Sequence, residues 1–354
     1  MKFGGLSWTD AKKSDELFPK EVIAPSSQDL GWHQCSKLYE CGRVHVGKEF
    51  PATRTIAMQI INATRAVATS ILGQSLTTRI HWKIRRTLGF VAHYRYRLRL
   101  KRGLEIGGPS AMLAGDGGIP IYDVLGSLDN CLYAGSTIWT GEVREGSTFL
   151  YDPGKDPGTQ IICDSTNLHP IEDSSYDCVL ACHCLEHIAN PLRALAEWRR
   201  VLKDDGLLLL ILPHKDGTFD WRRPTTPLAH MVQDYENGVG EEDLTHLPEI
   251  LELHDLSRDQ AAGTKEQFRE RCLANHINRA MHHHVFDTMT ALETLNHMGL
   301  RILRVDYLRP LHIIILARRA RQPVDNLRFM EPGSRRWSRS PFPSDRQRKQ
   351  LTVR

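Results

Sequence analysis

The groups in this chain best placed to do chemistry are a few acids beside turns and an unusual run of histidines. Asp164 and Ser165 end an apolar stretch, just ahead of the turn Leu168-His169-Pro170. A carboxylate there can accept an amine or a hydroxyl while the next backbone N–H donates; its plain alternative is a turn-forming Asp. His183 closes the next apolar strand, inside Cys182-His183-Cys184. Beyond Leu212-Pro213 come His214, Asp216, Asp220, His230, His246, His254, Asp255, His282, His283 and His284. Histidine is the natural proton acceptor near neutral pH. His214 follows a strand at its carboxyl end, where open α/β sheets bind ligands. His214 and His284 are therefore the candidate general bases, with histidines hydrogen-bonded inside a covering segment as the bland alternative.

No metal ligand is assigned. The three adjacent histidines 282–284 lack the i, i+4 spacing that aims two rings from one helical face, and Cys182-His183-Cys184 is not a zinc spacing.

These groups need a scaffold. Residues 103–110, Gly-Leu-Glu-Ile-Gly-Gly-Pro-Ser, read as a short strand and a turn, with Pro109 placed to open a helix. Further strands are expected at about 126–129, 160–163, 178–181 and 207–212. A helix is expected after Asn190-Pro191 through Leu192, Leu195, Trp198 and Leu202. Alternating strands and helices argue for a mostly parallel sheet covered on both faces. About seventy residues follow Pro213, far more than an ordinary loop of about 2–6, so a helical lid is expected over about 213–285. Asp287 caps a helix that stops at Gly299, and two strands, 301–307 and 311–317, are joined too tightly for a parallel crossover.

Composition narrows the class. At 354 residues and 41% hydrophobic, the chain can bury one large core. A net charge of +4 does not argue for nucleic acid as a partner. The basic, aromatic stretch 82–99 and an arginine-rich C-terminus keep that partner open without favouring it. Eight scattered cysteines suit reduced, intracellular use, and no window is long and apolar enough for a signal core or a membrane span, so a cytoplasmic location is expected. Residues 1–50 look like a poorly ordered extension, 51–100 a helical segment, and 320–354 a basic disordered tail.

The order of Asp164, the Leu-x-Pro turn, a buried strand, Leu185-Glu186-His187, a helix, the break Lys203-Asp204-Asp205-Gly206 and the apolar run 207–212 resembles a class I S-adenosylmethionine-dependent methyltransferase, of the methyltransferase type 11 kind. In that family the break usually reads Lys-Pro-Gly-Gly. The resemblance implies an α/β, Rossmann-like fold over 101–319: a mostly parallel seven-stranded sheet with an antiparallel C-terminal hairpin and the helical lid. It implies S-adenosylmethionine as cofactor, with Glu105, Gly107 and Gly108 in the glycine turn, Asp164 and Ser165 at the adenine and His183 beside the methionine part. The later glycines of the family's turn are Pro109 and Ala111 here, so a proline-started helix must take their role. A ribose-binding acid stands about 20 residues beyond such a turn; Asp129 lies 22 beyond Gly107, and Asp123, 16 beyond, is the competitor. Pro109 and Met112 stand where a nicotinamide enzyme needs glycines. The activity implied is methyl transfer to an oxygen or nitrogen of a small-molecule or saccharide-like acceptor. An inactive cofactor-binding subunit and an RNA methyltransferase are the alternatives.

Overall fold

In the computed structural model, residues 89–331 and 339–351 are described. The expected extension 1–50 and most of the helical segment 51–100 lie outside them; residues 89–98 form helix α1.

The run Leu207–Leu212 shows why the chain folds around a central sheet. Leu208, Leu210 and Leu212 pack into one buried cluster, with Ile313 and Ile315, while Leu207, Leu209 and Ile211 pack into another, with Ile314 and Leu316. Side chains alternate across a strand, so a continuous apolar run is stable only where both faces are covered. Among the described residues ten strands occur in chain order: β1 (Arg102–Ile106), β2 (Ser127–Leu132), β3 (Ser136–Thr137), β4 (Gly141–Glu142), β5 (Gly146–Phe149), β6 (Gly158–Ile162), β7 (Tyr176–Cys182), β8 (Leu202–Pro213), β9 (Leu300–Leu308) and β10 (His312–Arg319). Eight of them form one sheet in the order β5-β6-β2-β1-β7-β8-β10-β9. β6, β2, β1, β7 and β8 run parallel, and β10 pairs antiparallel with both β8 and β9. The expected seven strands gain an eighth, the short antiparallel edge strand β5.

Helix α2 (Pro191–Val201) covers one face. Asn190 caps it, accepting from Arg193 N–H, and Leu192, Leu195 and fully buried Trp198 seal it against the sheet. Asp287 likewise caps α7 (Thr288–His297), and Gly299, at φ +66°, turns the chain into β9. Between β8 and α7 lie α3 (Leu228–Asn237), α4 (Leu247–Leu253), α5 (Lys265–Leu273) and α6 (Asn275–Asn278).

Two expectations fail. Pro109 opens no helix: residues 107–126 cross from β1 to β2 through turns and one 3-10 turn at Tyr122–Val124, because Gly115, Gly117, Gly118 and Pro120 break any helical run. The tail is not simply disordered either. Helices α8 (Leu327–Met330) and α9 (Pro343–Leu351) return to the core, where Phe329, Phe342 and Asp345 are buried. Its arginine-rich composition hid these few anchors.

Candidate cofactor and acceptor site

The carboxyl ends of β1, β2, β6 and β7 meet at one edge of the sheet, and the turn after β1 is built from beneath. Gly107 takes φ +79°, and a Cβ there would meet Cys184 at 3.7 Å, so the glycine faces the gap between the ends of β1 and β7. A Cβ on Gly108 would lie 2.4 Å from the Glu105 carboxyl. Asn130 of β2 grips Gly108 from the side, accepting its N–H at 2.9 Å and donating to its carbonyl at 3.0 Å. Glu105, fully buried, accepts from the Tyr122 hydroxyl at 2.8 Å, and that oxygen accepts the Ser110 N–H at 2.6 Å. Burial pushes the Glu105 carboxyl up to about 7. The acid of the turn thus braces the loop from below.

Asp129 does not reach this edge. It is the third residue of β2, opposite Leu104, and its carboxylate is held by Arg102 at 3.2 Å, Tyr176 at 2.8 Å and the Thr159 N–H at 2.8 Å, all toward the amino end of the sheet. The competitor, Asp123, is tied to Arg95 by two bonds of 2.7 Å. Spacing from the glycine turn misleads because the crossover lacks a helix and β2 extends to Leu132. Directly after β2 stands Tyr133, its hydroxyl donating to Asn278 O at 3.0 Å and its ring 4.8 Å beneath the Arg279 guanidinium.

Asp164 comes after β6 at the same edge, with Ser165 buried beside it. One carboxylate oxygen accepts from Thr166 N–H and Oγ1, the other from Arg279 at 2.7 Å. Burial raises this carboxyl, but Arg279 and Thr166 outweigh it and hold it below its usual range. Asp164, Thr166, Asn190, Glu241, His276 and Arg279 line a cleft of about 310 Å³. His183, at φ +51°, turns its ring onto His312, Nε2 to Nδ1 at 2.9 Å.

On the acceptor side the two candidate bases fare badly. His214 is fully buried: Nδ1 accepts the Asp216 N–H, Nε2–H donates to Asp345 at 3.1 Å, and Phe342 stacks on the ring at 3.9 Å. With both nitrogens used under the returning C-terminal segment, His214 has no lone pair to offer an acceptor. His284 is also buried, with Nε2 3.1 Å from Ala189 O.

A different set stands at the end of β7. His282 Nδ1–H donates to Asp220 at 2.5 Å, and Arg223 donates to the same carboxylate at 3.0 Å. Burial alone would lower His282; the Asp220 charge outweighs it and raises the imidazole. His282 and His187 rings meet edge-on at 4.5 Å, and a ligand atom from each lies within 4.8 Å of one from Glu186. Glu186 is 1% exposed, and neither carboxylate oxygen has a hydrogen-bond partner among the described residues. Burial pushes this carboxyl up to about 7. Glu186 and His187 read in the sequence as helix-start residues; the apolar strand ahead of them is the signal that they open onto the site.

Residues 134–210 match a family model described as a methyltransferase domain. Over that stretch the chain is similar to methyltransferase domains. It is 38% identical over 66 residues to an uncharacterized 37.1 kDa protein in a transposon of Streptomyces fradiae, covering 18% of this chain and 19% of that one. It is 42% identical over 56 residues to an uncharacterized protein of Methanocaldococcus jannaschii, covering 16% and 24%. The matches thus span about a fifth to a quarter of these curated relatives. Among solved structures, an S-adenosylmethionine-dependent methyltransferase from Mesorhizobium loti is 13% identical over 65% of this chain and 96% of its own, with a TM-score of 0.37. No helix among the described residues is long and apolar enough to cross a membrane.

Proposed function

We propose that the protein transfers a methyl group from S-adenosylmethionine to an oxygen or nitrogen of a small acceptor, saccharide-like compounds included, with His282 as the base. The observation that carries this is the buried Asp220–His282 pair beside the unpartnered Glu186 carboxyl at the carboxyl end of β7. The residues fit the cofactor: Gly107 leaves a Cβ-sized opening toward Cys184, and Asp164 borders the cleft at the next strand end. When bound, S-adenosylmethionine supplies a methyl carbon on a sulfonium, and the C–S bond breaks as the acceptor's lone pair forms the new bond. Asp220 fixes the His282 ring by its Nδ1–H, which leaves Nε2 to take the acceptor's proton. Glu186, lacking a partner of its own, can hold a cationic or hydroxylic group in line.

The deciding experiment follows labelled methyl from the cofactor into metabolite, protein and RNA fractions. Label in small molecules, with turnover reduced about 10²–10⁴-fold in His282→Ala and Asp220→Asn at nearly unchanged cofactor affinity, supports the reading. Label in RNA replaces the acceptor class; cofactor binding without any transfer replaces the enzyme with a binding subunit.

A further inference from the structure

We infer that His230, Asp234, His246 and His284 form a site for one divalent transition-metal ion of the zinc class, which clasps the helical insertion to the core. The four side chains come from three places in the sequence, yet one ligand atom from each lies within 4.8 Å of all the others. His230 and Asp234 stand at i, i+4 on α3, one above the other on a single helical face. His246 immediately precedes α4, and His284 lies in the segment leading to α7.

The separations are close to those of ligands around one ion. His230 Nε2 is 3.1 Å from His246 Nε2 and 3.4 Å from Asp234 Oδ2, and Asp234 Oδ2 is 3.8 Å from His284 Nε2. Ligands at about 2.0–2.1 Å around a tetrahedral zinc lie roughly 3.3–3.4 Å apart. Asp234 is 8% exposed, and its Oδ2, inside this group of imidazoles, has no hydrogen-bond partner among the described residues. A buried charged oxygen without a donor calls for a cation. Three imidazoles and one carboxylate are a borderline nitrogen-rich set, which selects zinc, cobalt(II) or nickel(II) over magnesium or calcium. Four protein ligands leave no open tetrahedral position, as in structural sites. The sequence hid the site because the three adjacent histidines drew notice, and only one of them takes part.

The clasp joins helix α3, the start of α4 and the segment leading to α7. Asn190, the cap of α2, donates to Asp234 O at 3.0 Å, and His284 lies against Ala189 O, so the ion would sit where α3 meets the exit from β7.

The test uses the full chain, stripped with a strong chelator, dialysed and titrated with zinc chloride or cobalt chloride. One ion per chain by elemental analysis and a tetrahedral visible spectrum with cobalt are expected. Asp234→Asn and His246→Gln should weaken zinc binding by more than about a hundredfold, exceeding the usual loss from an outer-shell change, whereas His187→Gln, in the neighbouring cluster, should retain the ion. Direct titration of the unaltered chain needs no variant to fold: failure to bind overturns the inference, as does loss of the ion in His187→Gln with retention in Asp234→Asn. The readout is metal, not methyl transfer, so it stands apart from the proposed activity.

Discussion

At the scale of single residues, the glycine turn depends on a carboxyl kept away from water. Glu105 titrates near 7 in the folded chain against 4.5 for the free side chain, because burial disfavours its charge. Between those pH values the folded state holds the proton that the unfolded state has lost. Stability therefore falls as pH rises from about 4.5 to about 7 and is level above; at about 1.4 kcal/mol per pH unit the loss is on the order of 3 kcal/mol. Glu186 and Glu241 are pushed up to about 7 in the same way, so the informative quantity is a difference. Denaturant unfolding of the wild type and Glu105→Gln across this range should diverge by Glu105's share, with the variant losing less stability as pH rises; parallel curves would remove the argument. Gly108→Ala should cost about 1–3 kcal/mol, since its Cβ cannot coexist with the Glu105 carboxyl at 2.4 Å and Asn130 holds the backbone in place.

At the scale of elements, the features legible in the sequence are those with a local signature. Asn190 and Asp287 announce their helices by capping chemistry, and the alternation through 207–212 announces a strand covered on both faces. The helix expected at Pro109 fails because the glycines after it outweigh its favourable opening, and with it fails the spacing that singles out Asp129. His214 does stand at the end of β8, but its role is not legible there, because the partner that closes it comes from 131 residues away in a segment whose composition looks disordered. Asp345 there is fully buried and accepts from His214 at 3.1 Å, Ser340 at 2.5 Å and Thr288 Oγ1 at 2.6 Å. Removing one side of such a buried network leaves the other without a partner, so Asp345→Ala should destabilise the fold by about 3–5 kcal/mol. In combination with His214→Ala the loss should be well short of the sum. Additive losses in thermal unfolding would mean that the two groups act separately and that the C-terminal segment is not a strap on β8.

At the scale of the whole molecule, the insertion between β8 and α7 reaches back across the sheet to the strand ends where the cofactor is proposed to sit. One of its contacts there is Arg279, which lies 2.7 Å from Asp164, 3.4 Å from Glu241 and 4.8 Å above the Tyr133 ring. Those three partners belong to the turn after β6, to the insertion itself and to the chain after β2, so one side chain couples the core's edge to its cover. The planar guanidinium both pairs with carboxylates and stacks on the ring, which an ammonium cannot do together. Arg279→Ala should leave the core's unfolding transition nearly unchanged, because the sheet and α2 do not depend on it, while raising the dissociation constant for S-adenosylmethionine about tenfold through faster release. Arg279→Lys should recover little of that loss. Stopped-flow release measured beside equilibrium titration separates the cases: slower association at an unchanged release rate would make Arg279 a steering charge rather than a clamp, and unchanged affinity in both variants would detach the insertion from the cofactor site altogether.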